Sequence, residues 1–261
     1  MENKYKIIDT HAHYDDEAFD EDREEVLKQI KEAGVEKLMN IACSKKSIET
    51  TNNLTLEYDF IYGALGIHPS DANDYSEEVR NDIIAKVKAN KKILAIGEIG
   101  LDYYWDKDNK EEQKKFFIEQ IKLAQKYNLP IVIHSRDAIE DTYDILNKYL
   151  KNTKAILHCY SGSYEMAKKF IKLGVKFGIG GVLTFKNSQK LVEVVSKLDL
   201  NNFVLETDSP YLTPVPFRGK TNHPYYIKYV AEKIADIKGI SFEEVINCTT
   251  ETACSIFDLN I

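Results

Sequence analysis

Five of the six histidines stand directly after short apolar runs: His11 and His13 in KIIDTHAH, His68 in ALGIHP, His134 in PIVIHSR and His158 in AILHCYSG. Glu98 in ILAIGEIGLD and Asp208 in FVLETDSP occupy the same kind of place. Imidazole and carboxylate hold divalent ions. The six donors His11, His13, Glu98, His134, His158 and Asp208 are satisfied most economically by two clustered ions that share a bridging carboxylate. Imidazole suits zinc, iron and nickel, whereas carboxylate and water also suit magnesium and manganese, so the donors leave Mg, Mn and Zn open. Each residue alone has a plainer reading, as a loop histidine, a turn carboxylate or, for His134, a helix-entry residue bonded to Ser135 or Asp137. Taken together, five histidines at strand ends have no convincing structural explanation, because buried polar groups need partners.

The elements that would position these residues recur as a β-then-α unit about eight times. Apolar runs at 6–10, 37–42, 60–67, 93–97, 131–133, 154–157, 175–179 and 203–205 are too short for helices and are bounded by turn or polar residues. Their near-continuous apolar character predicts strands buried on both faces. Between them, Val26, Ile30 and Ala33, then Val79, Ile83 and Val87, then Phe117, Ile121 and Ala124, and finally Ile227, Val230 and Ile234 recur at helical spacing. With eight units and no opening GxGxxG, the pattern predicts a (β/α)8 TIM barrel over a doubly wound sheet. Catalytic residues of such barrels lie at the C-terminal strand ends, where each polar candidate here falls. Side chains alternate along a strand, so Asp9, His11 and His13 share a face, as do Glu206 and Asp208. The absence of a linker predicts one domain over 1–261, with 241–261 as terminal helices.

Composition narrows the classes. The chain has 261 residues, 43% of them apolar, with 35 Lys and Arg against 42 Asp and Glu. That acidic balance argues against coating nucleic acid with a broad basic face. It leaves room for a phosphate end held by metals and by local cations such as Lys186, Arg218 and Lys220. Four cysteines without CxxC spacing, no secretory signal in MENKYKIIDT and no apolar run near the roughly 20 residues of a membrane span predict a reduced, cytoplasmic protein without membrane contact.

Seven segments then carry a resemblance: DTHAHYD at 9–15, GIHP at 66–69, GEIGLDYY at 97–104, IHSRDA at 133–138, HCYSGS at 158–163, GIGGVLTFKNS at 178–188 and ETDSPYLTPVPFRGKTNHP at 206–224. In this order, over nearly the whole chain, they resemble the TatD family of metal-dependent hydrolases, within the amidohydrolase-like barrels. The resemblance implies that the same six residues are metal ligands. It also implies a divalent-metal-dependent deoxyribonuclease that works from the 3′ end, on single-stranded or frayed DNA. His223 stands where family members often carry an acidic residue, and GIGG at 178–181 replaces a more usual Ser-Gly version; neither removes a ligand.

The chemistry expected is hydrolysis by a water that the metals acidify. Asp208 would ligate metal and accept the water proton, and His68, outside the ligand set, would contact phosphate or act as general acid. Arg218 or Lys186 would face the non-bridging oxygens. Asp9 is expected to orient a ligand histidine by accepting its other ring N–H, and Glu206 to do likewise or to touch substrate. Tyr103, Tyr104 and Trp105 are candidates to stack terminal bases, against the plainer reading that they cover the barrel mouth. Cys159 is expected to be a small core residue. An ester or amide hydrolase such as an aminoacyl-RNA deacylase is the alternative on the same site, and a non-catalytic metal-bound scaffold is a third.

Overall fold

A computed structural model describes residues 5–261. Strands and helices alternate as β1 (Ile7–Ala12), α1 (Arg23–Glu32), β2 (Val35–Ile41), α2 (Lys45–Glu57), β3 (Ile61–Leu65), α3 (Glu77–Ala89), β4 (Ile93–Asp102), α4 (Lys110–Tyr127), β5 (Ile131–Arg136), α5 (Ile139–Tyr149), β6 (Ala155–Leu157), α6 (Tyr164–Lys172), β7 (Val175–Ile179), α7 (Gln189–Lys197) and β8 (Phe203–Leu205), followed by α8 (Ile227–Lys238) and α9 (Phe242–Phe257). The strands form one sheet in chain order, β1 to β8. This is the (β/α)8 barrel. Among the described residues, no helix is long and apolar enough to cross a membrane.

Packing groups the chain into two compact units. The first holds β1, β7, β8, α1, α7, α8 and α9, and the second holds β3 to β6 with α2 to α5. In the first, β8 lies beside β1. Ala12 bridges Ser209 in parallel, Asp208 N donates to His11 O at 2.8 Å, and His13 N donates to Ser209 O at 2.8 Å. A single helix, α9, replaces the expected terminal helices. It is fixed at its start by a capping box between Ser241 and Glu244, and Thr250 Oγ1 donates to Lys6 O at 2.9 Å below β1. In the second unit β4 runs parallel to both β3 and β5.

The apolar faces expected on the helices pack, except that Ala33, just past α1, and Val87 of α3 are only partly buried. Val26 and Ile30 of α1, Phe117, Ile121 and Ala124 of α4, and Ile227, Val230 and Ile234 of α8 are all buried. Burial of each large aliphatic or aromatic side chain contributes about 1.5–3 kcal/mol.

Strands β7 and β8 have the expected bounds, but β1, β4 and β5 run past their apolar stretches, so that His11, Glu98 and His134 lie inside strands. Backbone pairing explains this. Gly100, Leu101 and Asp102 stay in register with His134, Ser135 and Arg136, so the ladder continues where the side chains turn polar. Gly100 is required there. Its φ is +148°, and a Cβ at this position would lie 2.0 Å from the carbonyl oxygen of His134.

Candidate metal centre and substrate residues

In the first unit, three donor atoms meet at the ends of β1 and β8. His11 Nε2 lies 3.2 Å from His13 Nε2, and Asp208 Oδ1 lies 3.4 Å from His13 Nε2 and 3.7 Å from His11 Nε2. Donors about 2.1 Å from one ion stand roughly 3.0 Å apart in octahedral and 3.4 Å apart in tetrahedral geometry. The three atoms therefore fit one divalent cation. Asp208 is held in the left-handed region, with φ of 57°.

Asp9 does not orient a histidine ring. Its Oδ1 accepts from Thr207 N at 3.0 Å and His11 N at 3.3 Å, and its Oδ2 accepts from Thr207 Oγ1 at 2.6 Å. It ties β1 to the residue before Asp208, so it fixes the backbone that carries the donors. Complete burial pushes its carboxyl up to about 7, against the hydrogen bonds from Thr207 and His11.

Glu206 is wholly buried, and its Oε1 accepts from Cys159 N at 2.7 Å. Its carboxylate fills the space where a side chain on Gly178 would stand, with Oε2 at 1.9 Å from that Cβ position. This place suits support of the loop after β6. Cys159 is only partly buried, with φ of 45°, so it is not the core residue expected.

In the second unit, Glu98 is the hub. Its Oε1 lies 2.8 Å from His134 Nδ1, 3.0 Å from His158 Nε2 and 3.8 Å from His68 Nε2, and His134 Nδ1 is 3.4 Å from His158 Nε2. A buried carboxylate meeting two imidazole nitrogens at these spacings again fits a divalent ion. The other nitrogen of His134, Nε2, donates to Asp102 Oδ2 at 3.0 Å. Asp102 thus takes the role expected of Asp9, fixing which nitrogen of a ligand histidine is left to bind. Burial would raise the Asp102 pKa, but hydrogen bonds from His134 and from the Trp105 and Tyr104 amides hold it at about 2. Burial would likewise lower His134, yet its bonds to Asp102 and Glu98 raise it above the ordinary imidazole value.

His68 Nδ1 accepts from Ser70 N at 3.1 Å. In the neutral ring the proton therefore sits on Nε2, which points toward Glu98. Burial pushes its pKa down to about 4 against the charge of Glu98. Cys43 Sγ donates to Glu98 Oε2 at 3.4 Å.

The substrate candidates divide. Lys186 and Arg218 are exposed in the loops after β7 and β8, and the Arg218 guanidinium lies 3.8 Å over the ring of Phe185, next to Lys186. Tyr103 does not fit the substrate set. It is buried, its hydroxyl donates to Asp141 Oδ2 at 2.6 Å, and Lys110 covers its ring. Its neighbours Tyr104 and Trp105 are the exposed members of that run. Tyr211 was missed. It is half exposed, its ring stands 6.1 Å from that of His13, and its hydroxyl donates to Asp16 Oδ2 at 2.6 Å. Its position three residues past Asp208 was the available signal. His223 stacks on Tyr225, with ring centroids 5.1 Å apart.

A (β/α)8 barrel with imidazole and carboxylate donors at strand ends in each unit, in a chain whose relatives are metal-dependent hydrolases, belongs to that class. Within that class the chain belongs to the TatD related DNase family, which it matches over residues 8–258. It is 45% identical over 257 residues to a Bacillus subtilis protein described as the uncharacterized metal-dependent hydrolase YabD, covering 97% of this chain and all of that one. The crystal structure of YjjV, a TatD homologue from Escherichia coli, superposes with a TM-score of 0.92 at 31% identity, over 97% of this chain and 98% of the other. A TatD family hydrolase from Entamoeba histolytica shares the fold, with a TM-score of 0.87 at 22% identity over 97% of this chain and 98% of that one.

Proposed function

We propose that the chain is one catalytic domain, a divalent-metal-dependent deoxyribonuclease that hydrolyses phosphodiesters stepwise from the 3′ end of single-stranded or frayed DNA. The observation that carries this reading is the triangle of His11, His13 and Asp208, whose donor atoms lie 3.2–3.7 Å apart. Two imidazole Nε2 atoms turned toward each other beside a carboxylate suit a cation held between them. Glu98, His134 and His158 supply the second donor set, and the two sets would hold two ions. Membership of the TatD related DNase family supports the choice of a phosphodiester of DNA.

Mg, Mn or Zn ions held by these donors would supply Lewis acidity to the phosphate oxygens and lower the pKa of water toward neutrality. The chain does the rest. Asp208 accepts the proton of the attacking water as the bond from phosphorus to the 3′ oxygen of the preceding nucleotide breaks, and that oxygen takes its proton from solvent. Asp102 keeps the proton of His134 on Nε2, so that Nδ1 remains a donor. His68, with Nδ1 engaged by Ser70, presents Nε2–H as a hydrogen-bond donor to a phosphate oxygen, and its lowered pKa disfavours the general-acid role. Arg218 and Lys186 bind the adjacent backbone phosphates.

The test is cleavage of 5′-labelled single-stranded DNA with magnesium or manganese, comparing the native chain with His134→Ala and Asp208→Asn. Stepwise shortening from the 3′ end that disappears in both variants supports the reading. Activity that survives in both points to a contaminant, and no cleavage by any form removes DNA as the substrate.

A further inference from the structure

Arg136, at the end of β5, is exposed, and its guanidinium carbon lies 3.9 Å over the ring of Tyr104 and 5.5 Å from the ring of Trp105. Tyr104 and Trp105 meet edge to face with centroids 4.9 Å apart, and they are 47% and 69% exposed. Large aromatic faces rarely stand so open unless something covers them. The backbone that carries the three side chains is held in place: Asp102 Oδ1 accepts from Tyr104 N at 2.9 Å and Trp105 N at 3.0 Å, and Tyr103 N donates to Arg136 O at 2.9 Å. The same carboxylate, through Oδ2, orients His134. One buried group thus ties the backbone of the exposed aromatic pair to a candidate metal ligand.

We propose that Tyr104, Trp105 and Arg136 form a stacking site for one unpaired nucleobase near the scissile phosphate, with Arg136 also binding the phosphate beside that base. The proposal rests on the nuclease reading and deepens it by giving the source of a single-strand preference. A base held in a duplex has both faces covered by its neighbours, whereas an unpaired base offers one to Trp105. A planar cation lying on Tyr104 suits a base edge and a phosphate, but not a purely aliphatic partner.

Trp105 is the only tryptophan in the chain, so its fluorescence reports on this site alone. The metal-loaded protein is titrated with a single-stranded oligothymidylate carrying phosphorothioate linkages, and with the same strand made abasic. Cleavage of 5′-labelled DNA with intact or abasic 3′-terminal positions is then compared for the native chain, Trp105→Ala and Trp105→Phe. Saturable quenching by the intact strand alone, and a loss of roughly 5- to 150-fold in kcat/KM for Trp105→Ala on the intact strand, carried in KM, are expected. Trp105→Phe should recover most of it, and the abasic strand should show little difference between forms.

Quenching equal with the abasic strand would assign the contact to Arg136 and the backbone, and would overturn base stacking. Cleavage unchanged in Trp105→Ala, with no quenching, would overturn the site while leaving the nuclease reading intact. If the native chain cleaves no DNA, the nuclease reading falls, and the titration alone decides the site: selective, saturable quenching keeps it as a base-binding site and flat fluorescence overturns it.

Discussion

Replacing Asp102 by Asn changes few atoms and reverses one hydrogen bond. Oδ1 is retained by the amides of Tyr104 and Trp105, so the new NH2 group must face His134 Nε2. Two donors cannot face each other, and His134 has to carry its proton on Nδ1 instead. Nδ1 is the nitrogen that lies 2.8 Å from Glu98 Oε1 and 3.4 Å from His158 Nε2, where an ion would sit. Metal binding at this set should therefore fall by about 10- to 100-fold, the usual effect of losing such a supporting group, or roughly 1.4–2.7 kcal/mol. Calorimetric titration of the metal-free proteins with zinc or manganese measures this directly. Stability of the metal-free protein gives a second readout. The Asp102 pKa is depressed from 3.8 to about 2, which corresponds to on the order of 2 kcal/mol in favour of the folded state. Because the folded value is the lower one, that contribution is fully present above about pH 4 and is lost as pH falls toward 2. Asp102→Asn should unfold more easily than the native chain at pH 7, with the gap closing in acid. An unchanged metal affinity at the Glu98 set would refute the assignment of Nδ1 as the binding atom.

Gly100→Ala should be severe, since its Cβ would lie 2.0 Å from the His134 carbonyl; a loss of about 3 kcal/mol or more in denaturant unfolding is expected, and a native-like midpoint would contradict it. Asp9→Ala removes two hydrogen bonds from Thr207 and one from the His11 amide, and should lower stability by about 2–4 kcal/mol in chemical denaturation. Gly178→Ala would drive a Cβ to 1.9 Å from Glu206 Oε2; a loss of about 1–3 kcal/mol should appear as a lower Tm. If Arg218 meets a phosphate, Arg218→Ala should weaken binding of single-stranded DNA of any sequence and reduce the salt slope by about 0.7, whereas an unchanged slope would place Arg218 away from the strand.

The donor types, their order and their places at strand ends follow from the sequence because strand periodicity and apolar runs are local properties. Strands at 175–179 and 203–205 fall where they were expected, and the family segments lie at the strand ends they mark. Local pattern does not say which atoms meet. Asp9 and Asp102 are both aspartates near ligand histidines. Only the pairing of β4 with β5 puts Asp102 beside a ring nitrogen, while the approach of β8 to β1 gives Asp9 to Thr207, 198 residues away. Tyr103, Tyr104 and Trp105 are alike as a run of aromatics. Burial against Asp141 and Lys110 takes the first out of reach, and Arg136 props the other two at the surface. The ligand chemistry is thus written in residue type and spacing. The support of those ligands depends on hydrogen bonds between segments far apart in the chain, whose register is fixed only when the strands pack.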